Sequence, residues 1–224
     1  MDTISVLSSV IKKKSIEKKL YKNHHLQIKL DKFNKRLRYK TNQINFSDLK
    51  NWKISKNSIY DKDKKFFSIF FINVFANFRE VKKWEQPIIS DHLSSFNGFL
   101  RTEINNTYHY LLNIISEPGF NSPKYTSTIF EKNFLLKSNK KIKYKSFFIK
   151  KNCRMDIVNS DEGGRFLKNQ TRNMICEIKD YKKIKLYENF IWASHNQIIE
   201  LINQNKMTIE ARNLFACCNI DKIK

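Results

Sequence analysis

The stretch Ser160–Glu177, SDEGGRFLKNQTRNMICE, opens with two acids, two adjacent glycines, two arginines and three amides, then runs into an apolar strand-like segment. Every phosphate or hydroxyl oxygen taken out of water needs a partner, so this density of donors and acceptors suits an anionic, hydroxyl-rich ligand. Arg165 and Arg172 are the candidate phosphate grips, because a guanidinium meets phosphate oxygens as a fork. Their spacing of seven puts them on one face of a continuous helix; the alternative is ion pairing with Asp161 or Glu162. Asn169, Gln170 and Asn173 offer partners for hydroxyls. Gly163 and Gly164 either let backbone approach a ligand or fit a tight contact with a sheet. Two further dense clusters are Trp84-Glu85-Gln86-Pro87 and Glu210–Cys217, the latter carrying Arg212.

The elements that must position these groups follow from periodicity and punctuation. Residues 1–22 have apolar positions near helical spacing with lysines between them, which predicts an amphipathic helix. Residues 23–46 are basic and read as a connection or short strand. Asp48–Trp52 predicts a short helical turn after Ser47. Phe66–Phe75, FFSIFFINVF, predicts a strand buried on both faces. Gln86–Ser90, Gly98–Glu103 and Tyr108–Ile115 predict further strands, the last two flanking a hairpin loop at Ile104–Thr107. Glu117-Pro118-Gly119 is a turn. Lys124–Ile129 and Tyr144–Lys150 alternate weakly, as strands do. Asp161–Lys168 predicts a helix capped by Ser160 or Asp161. Asn173–Ile178 predicts a strand, Ser194–Asn203 a helix capped by Ser194, and Thr208–Cys217 a closing helix capped by Thr208. This order argues for an α+β fold with a mixed, mostly antiparallel sheet and flanking helices. Residues 1–46 form a basic N-terminal helical arm and residues 47–224 the domain.

Size and composition bound the rest. A chain of 224 residues with 41% hydrophobic content can bury a sizeable core. No apolar run reaches the roughly 20 residues that span a bilayer. At the start, apolar residues precede the lysines, the reverse of a secretory signal, so a cytoplasmic location is expected. Cys153, Cys176, Cys217 and Cys218 form no CxxC pair and have no histidine at zinc-finger spacing, so reduced thiols are expected rather than a metal site. The formal charge of +22 raises nucleic-acid binding. Residues 1–65 hold 18 Lys/Arg against 6 Asp/Glu, but lysine dominates and no base-reading motif accompanies it. A solvated basic face is the simpler account, or a field that helps a phosphorylated substrate approach.

Taken in order, VKKWEQPIIS, the hairpin ending in SEPG, SDEGGRFLKNQTRNMICEI and IEARNLFACC resemble the NDP-hexose 2,3-dehydratase family, over about Asn51 to Cys218. The resemblance implies a Nudix-like fold, usually as two tandem copies in one polypeptide. No Nudix box is present, so metal-dependent pyrophosphate cleavage is not expected. Three departures stand out. One copy is found where the family has two, which implies a homodimer. The family's P-T-x-Q-x-T-x-S-N pattern appears as Pro123–Glu131, in which Thr128 fits and the Gln and Asn do not. Phe120 follows Glu117-Pro118-Gly119 where the family tends to have Asn.

The resemblance implies a lyase acting on a nucleotide-linked, dTDP-type, 4-keto-6-deoxyhexose in deoxysugar biosynthesis. The C3 proton lies α to the C4 carbonyl, so a placed base can remove it. Charge then develops on the C4 oxygen, the C2 hydroxyl leaves as water, and the enol relaxes to a 3,4-diketo-2,6-dideoxy sugar. Neither cofactor nor metal is required, and a 3-ketoreductase acts downstream. Glu117, on its Pro-Gly turn, is the expected base, or else a turn carboxylate bound to nearby amides. His109 is an acid–base candidate or a satisfied core histidine. Tyr125 and Thr128 are proton-relay candidates. Trp84 would stack on the base or pack in the core, Gln86 would meet the base edge or the keto oxygen, and Arg212 would reach phosphate. The rival reading is a non-catalytic sugar-nucleotide binder or one subunit of a heteromeric dehydratase. On the enzyme reading the chain shows no salt-sensitive affinity for DNA or RNA that disappears on deleting residues 1–45; a gel-shift titration checks this.

Overall fold

The computed structural model describes residues 19–37, 41–63, 66–90, 95–132 and 142–218. The helix expected over residues 1–22 falls almost wholly outside them. The expected irregular stretch from residue 23 is instead a helix, α1, Asn23–Arg36. No side chain caps it, and it buries only Leu26 and Leu30, one turn apart. The Tyr125 hydroxyl donates to the Leu26 carbonyl at 2.7 Å, and Gln197 Nε2 donates to the Tyr21 carbonyl at 2.8 Å. Tertiary packing, more than local propensity, holds this segment helical. Leu26 and Leu30 belong to the main core, so α1 is part of the body.

Four strands form a small antiparallel sheet in sequential order: β1 (Trp52–Ile54), β2 (Ser58–Asp61), β3 (Ser68–Phe75) and β4 (Lys83–Ser90). The helical turn expected at Asp48–Trp52 sits slightly earlier, at Phe46–Asp48, and Trp52 already begins β1. β3 is a strand as expected but is not buried on both faces. Phe71 and Phe75 are 72% and 73% exposed, because alternate residues of a strand project from opposite faces and only one face of this sheet is half-covered.

The larger sheet runs β11-β6-β5-β10-β9, from β5 (Ser95–Ile104), β6 (Thr107–Ile115), β9 (Cys153–Ser160), β10 (Gln170–Glu177) and β11 (Phe190–Ser194). β5 and β10 are parallel, with Asn97 opposite Asn173; the other pairs are antiparallel. Its two faces are both buried. Phe99, Tyr110, Leu112 and Ile175 pack under α2 (His195–Asn203) and α3 (Ile209–Cys217). Phe96, Leu100, Leu111, Met174 and Trp192 pack under the 142–153 segment. That segment makes 3-10 turns at Lys145–Phe147 and Lys150–Asn152 rather than the strand expected at Tyr144–Lys150. Both helix caps are where expected: Ser194 forms a reciprocal capping box with Gln197, and the Thr208 hydroxyl accepts from the Ala211 N–H. The α+β class with a mixed, mostly antiparallel sheet therefore holds.

One irregularity positions the site. β5 and β6 leave a two-residue turn with Asn105 and Asn106 at positive φ, which amide side chains tolerate. They pair from Ile104↔Thr107 as far as Arg101↔Tyr110 and then part. β7 (Lys124–Thr126) pairs with the far end of β6, and β8 (Ile129–Lys132) with the near end of β5. The expected single strand at Lys124–Ile129 is thus two short ones around a wedge. Thr128 stands in the fork: its hydroxyl accepts from the Leu100 N–H at 2.9 Å and donates to the Leu111 carbonyl at 2.5 Å. It replaces the ladder rung that parting removes.

Cys153 and Cys176 face each other across β9 and β10, Cα atoms 4.0 Å apart, and are joined as a disulfide. The expectation of reduced thiols therefore holds only for Cys217 and Cys218. Sequence separation of 23 residues conceals a pairing that the hairpin creates.

Two stability outcomes follow. Thr128→Val keeps the shape but orphans a buried N–H and a buried C=O, and lowers unfolding free energy by about 2–4 kcal/mol in urea titration. Gly98→Ala places a Cβ 2.4 Å from Phe148 Cε1; it costs about 1–3 kcal/mol by the same assay.

Candidate functional site

Two cavities flank the first turn of α3 and share Ile209 and Glu210. The first, of about 510 Å³, is walled by Ser95 and Asn97 of β5, Thr171 and Asn173 of β10, the 159–169 loop, and Glu210 and Asn213 of α3. The second, of about 570 Å³, is walled by the Glu117–Lys124 turn, the 204–208 loop, Glu210 and Arg212. Segments drawn from Ser95 to Asn213 of the chain thus meet at one helix end.

The 160–169 segment is not the expected helix. It is the loop of the β9–β10 hairpin, closed by the Asp161 N–H donating to the Asn169 carbonyl at 3.0 Å. The small sheet pins it from outside. The Ile89 N–H donates to the Arg165 carbonyl, and the Leu167 N–H donates to the Ile89 carbonyl, both at 2.8 Å. Gln86 Nε2 donates to the Gly164 carbonyl at 2.6 Å, while Gln86 Oε1 accepts from Trp84 Nε1 at 2.7 Å. Trp84 and Gln86 therefore brace the loop from behind; Trp84 itself borders a shallow surface hollow with Arg79, whose guanidinium lies 5.8 Å from the indole centroid. Gly163 and Gly164 have ordinary φ, and a Cβ on either meets nothing within 4 Å. The alternative of a tight glycine contact with the sheet is thereby removed.

Arg165 lines the first cavity and forks onto Glu162, with its side chain 67% exposed. Arg172 does not join it. Without a continuous helix, spacing of seven carries no shared face, and strand alternation turns Arg172 away from Asn173. It forks onto Asp156 of β9 at 2.8 and 2.7 Å. That bond holds the Asp156 carboxyl below its usual range and raises the Arg172 guanidinium. Asn169 and Asn173 do line the cavity, as expected of hydroxyl partners.

Glu117 and Arg212 share the second cavity. The Arg212 Nε is buried without a hydrogen-bond partner among the described residues. The other expected proton carriers are elsewhere. His109 is fully buried in β6; its Nδ1 bonds the Thr107 carbonyl at 3.0 Å and its Nε2 accepts from the Leu20 N–H at 3.3 Å. That is a satisfied core histidine. Tyr125 is fully buried, its phenol spent on Leu26 and raised by burial, and it borders a separate cavity of about 260 Å³ beneath α1. Thr128 is spent at the strand fork.

Sequence reasoning missed Asn97, Ser127 and the position of Glu210. Asn97 is 3% exposed. Its Nδ2 donates to Asn173 Oδ1 at 3.1 Å and to the Glu210 carbonyl at 2.9 Å, and its Oδ1 accepts from the Ser127 hydroxyl at 2.6 Å. A lone amide inside the apolar run SFNGFL was the available signal, since buried polar groups persist only with partners. Among the described residues no group of three or more His, Cys, Asp or Glu comes together, and no helix is long and apolar enough to cross a membrane.

The NDP-hexose 2,3-dehydratase family model matches residues 24–218. The chain is 25% identical over 189 residues to a dTDP-4-dehydro-6-deoxy-alpha-D-glucopyranose 2,3-dehydratase of Saccharopolyspora spinosa, covering 80% of this chain and 38% of that protein. It is 24% identical over 193 residues to the protein of the same description from Amycolatopsis orientalis, covering 78% and 40%. The chain thus spans about two-fifths of the length of these relatives. Among solved structures, an ADP compounds hydrolase overlaps 78% of this chain and 97% of its own at 10% identity and a TM-score of 0.42. A C. elegans Ap4A hydrolase overlaps 50% of this chain and 86% of its own at 9% identity and a TM-score of 0.34. The sequence match alone, running through both cavity-lining segments, decides the affiliation: the chain belongs to the NDP-hexose 2,3-dehydratase family.

Proposed function

We propose that this chain is a lyase that removes water across C2–C3 of a nucleotide-linked 4-keto-6-deoxyhexose, with dTDP as the expected nucleotide. One observation carries the reading. The segments that bear the family resemblance, the EPG turn, the EGGRF loop with Asn173, and the IEARN helix start, converge on adjoining cavities at one end of α3. In this reading Arg165 and Arg212 receive the diphosphate, helped by the positive end of α3. Asn169 and Asn173 meet hydroxyl or keto oxygens. Gly163 and Gly164, with open space where a Cβ would be, let the ligand come close to the loop.

Two carboxylates border the second cavity, Glu117 and Glu210. Glu117 takes the C3 proton. The electron pair moves toward the C4 carbonyl, the C2–O bond breaks, and Glu210 delivers a proton to the departing oxygen, which leaves as water. The enol then takes a proton at C2 and becomes the 3,4-diketo-2,6-dideoxy sugar, the substrate for a 3-ketoreductase. Arg172, His109, Tyr125 and Thr128 support the frame in this reading.

We also propose that two copies of the chain act together, or one copy with a different second chain. We also place the chain in the cytoplasm. A cytoplasmic location predicts that the Cys153–Cys176 pair is largely reduced in cells, which thiol labelling of lysates checks.

Incubation of purified chain with dTDP-4-keto-6-deoxyglucose and a 3-ketoreductase yields a 2-deoxy sugar nucleotide, detected by mass spectrometry. Absence of that product with every nucleotide variant, alone and with a candidate second chain, defeats the reading. Glu117→Gln and Glu210→Gln each cut turnover by about 10²- to 10⁴-fold while dTDP binding persists. Sedimentation gives a dimer mass for the active species; a lone active monomer removes the two-copy proposal.

A further inference from the structure

We infer that Asn97, held by Ser127, is a positioning residue that fixes Asn173 as a hydrogen-bond donor to an acceptor oxygen of the bound sugar nucleotide. This rests on the functional reading above and says which way that site is polarised.

The argument is an inventory of hydrogens. A side-chain amide carries two N–H donors and one carbonyl oxygen with two lone pairs. Asn97 spends both donors, one on Asn173 Oδ1 and one on the Glu210 carbonyl. Its carbonyl takes the Ser127 hydroxyl at the shorter distance, 2.6 Å, the Ile129 carbonyl lying 3.0 Å from the same hydroxyl oxygen. A backbone carbonyl only accepts, so Glu210 determines which end of Asn97 faces α3. Asn97 therefore reaches Asn173 only as a donor, and Asn173 must answer with its oxygen. The Asn173 Nδ2 gives one hydrogen to the Thr171 carbonyl at 3.1 Å. With its oxygen turned toward Asn97, the group this amide has left for the cavity is its other N–H.

Burial gives the arrangement its stiffness. Asn97 and Ser127 are 3% and 0% exposed. Turning the Asn173 amide over would set its two donors against those of Asn97 and leave a buried N–H unpaired. The same Asn97 amide ties the first turn of α3 to β5, so Glu210 and Asn173 are held in fixed relation across the cavity. The ligand atom that fits is an acceptor: a phosphate oxygen or a carbonyl or ether oxygen of the sugar.

The test is a double-mutant cycle read by calorimetric binding of two probes, thymidine diphosphate and dTDP-4-keto-6-deoxyglucose, with thermal melts alongside. Asn173→Asp keeps an acceptor for Asn97 but loses the donor, and weakens sugar-nucleotide binding about 10- to 100-fold. Asn97→Ser weakens it by at least about tenfold in the native background and by less than about twofold in the Asn173→Asp background. Ser127→Ala stands in for Asn97→Ser if the latter does not fold. Equal weakening in both backgrounds shows general damage and overturns the inference, as does no weakening by Asn173→Asp. If both probes weaken, the donor meets the diphosphate end; if only the sugar-linked probe weakens, it meets the sugar, and either result upholds the inference. A native chain that binds neither probe overturns the functional reading and this inference with it, which separates the two failures.

Discussion

The parting of β5 from β6 is the constraint on which the site depends. An antiparallel pair that opens leaves unpaired N–H and C=O groups inside the protein, each costing about 1–3 kcal/mol if left so. Three consecutive buried hydroxyls, Thr126, Ser127 and Thr128, fill the gap. Thr128 closes the ladder at the fork, Ser127 holds Asn97, and Thr126 meets the Thr208 hydroxyl at 3.0 Å. Thr208 is also the cap of α3, so the wedge sets where that helix begins. Main-chain bonds from Tyr125 to Lys206 and from Thr208 to Tyr125, both 2.8 Å, complete the attachment. The first turn of α3 borders both cavities.

The opposite wall is built differently. The EGGRF loop has little core of its own and is held by backbone and amide bonds from β4, by the Arg172–Asp156 fork at the base of its hairpin and by the Cys153–Cys176 link below that. Trp84, Gln86 and Arg172 resemble ligand-binding residues by type, yet they act as braces. A site that must hold polar groups in fixed directions needs such a second tier, because a loop free to rotate would return its donors to water. Arg165, by contrast, pairs with the exposed Glu162 and lies 5.9 Å from the Phe166 ring centroid. An exposed pair of this kind is weak, so its guanidinium can exchange a carboxylate for a phosphate at small cost.

Glu210 connects the two halves of the site. It lies in the first turn of α3, borders both cavities, and its carbonyl is fixed by a residue on β5. The positive field of a helix N-terminus favours an anionic ligand there, as the diphosphate of the proposed substrate would be.

The sequence determined what depends on neighbours in the chain. The Ser194 and Thr208 caps, the Asn105-Asn106 turn and the strands β4, β5, β6 and β10 were legible because capping, turn and alternation patterns act over a few residues. So were the segments that bear on ligand binding, and within them Glu117, Arg165, Asn169, Asn173 and Arg212 do line the two cavities. Only the tertiary structure decided the rest. α1 has two buried apolar residues and no side-chain cap, so nothing local announces it. Ser160 and Asp161 look like a helix cap, but pairing with β4 across more than 70 residues wins. Tyr125 and Thr128 have reactive side chains whose hydrogens are committed to distant backbone groups, and His109 is held between the Thr107 carbonyl and the distant Leu20 N–H. Asn97 acquires its meaning from Ser127, Asn173 and Glu210, 30, 76 and 113 residues away. A side chain's type is a local property, whereas its partners are fixed by which strands lie side by side.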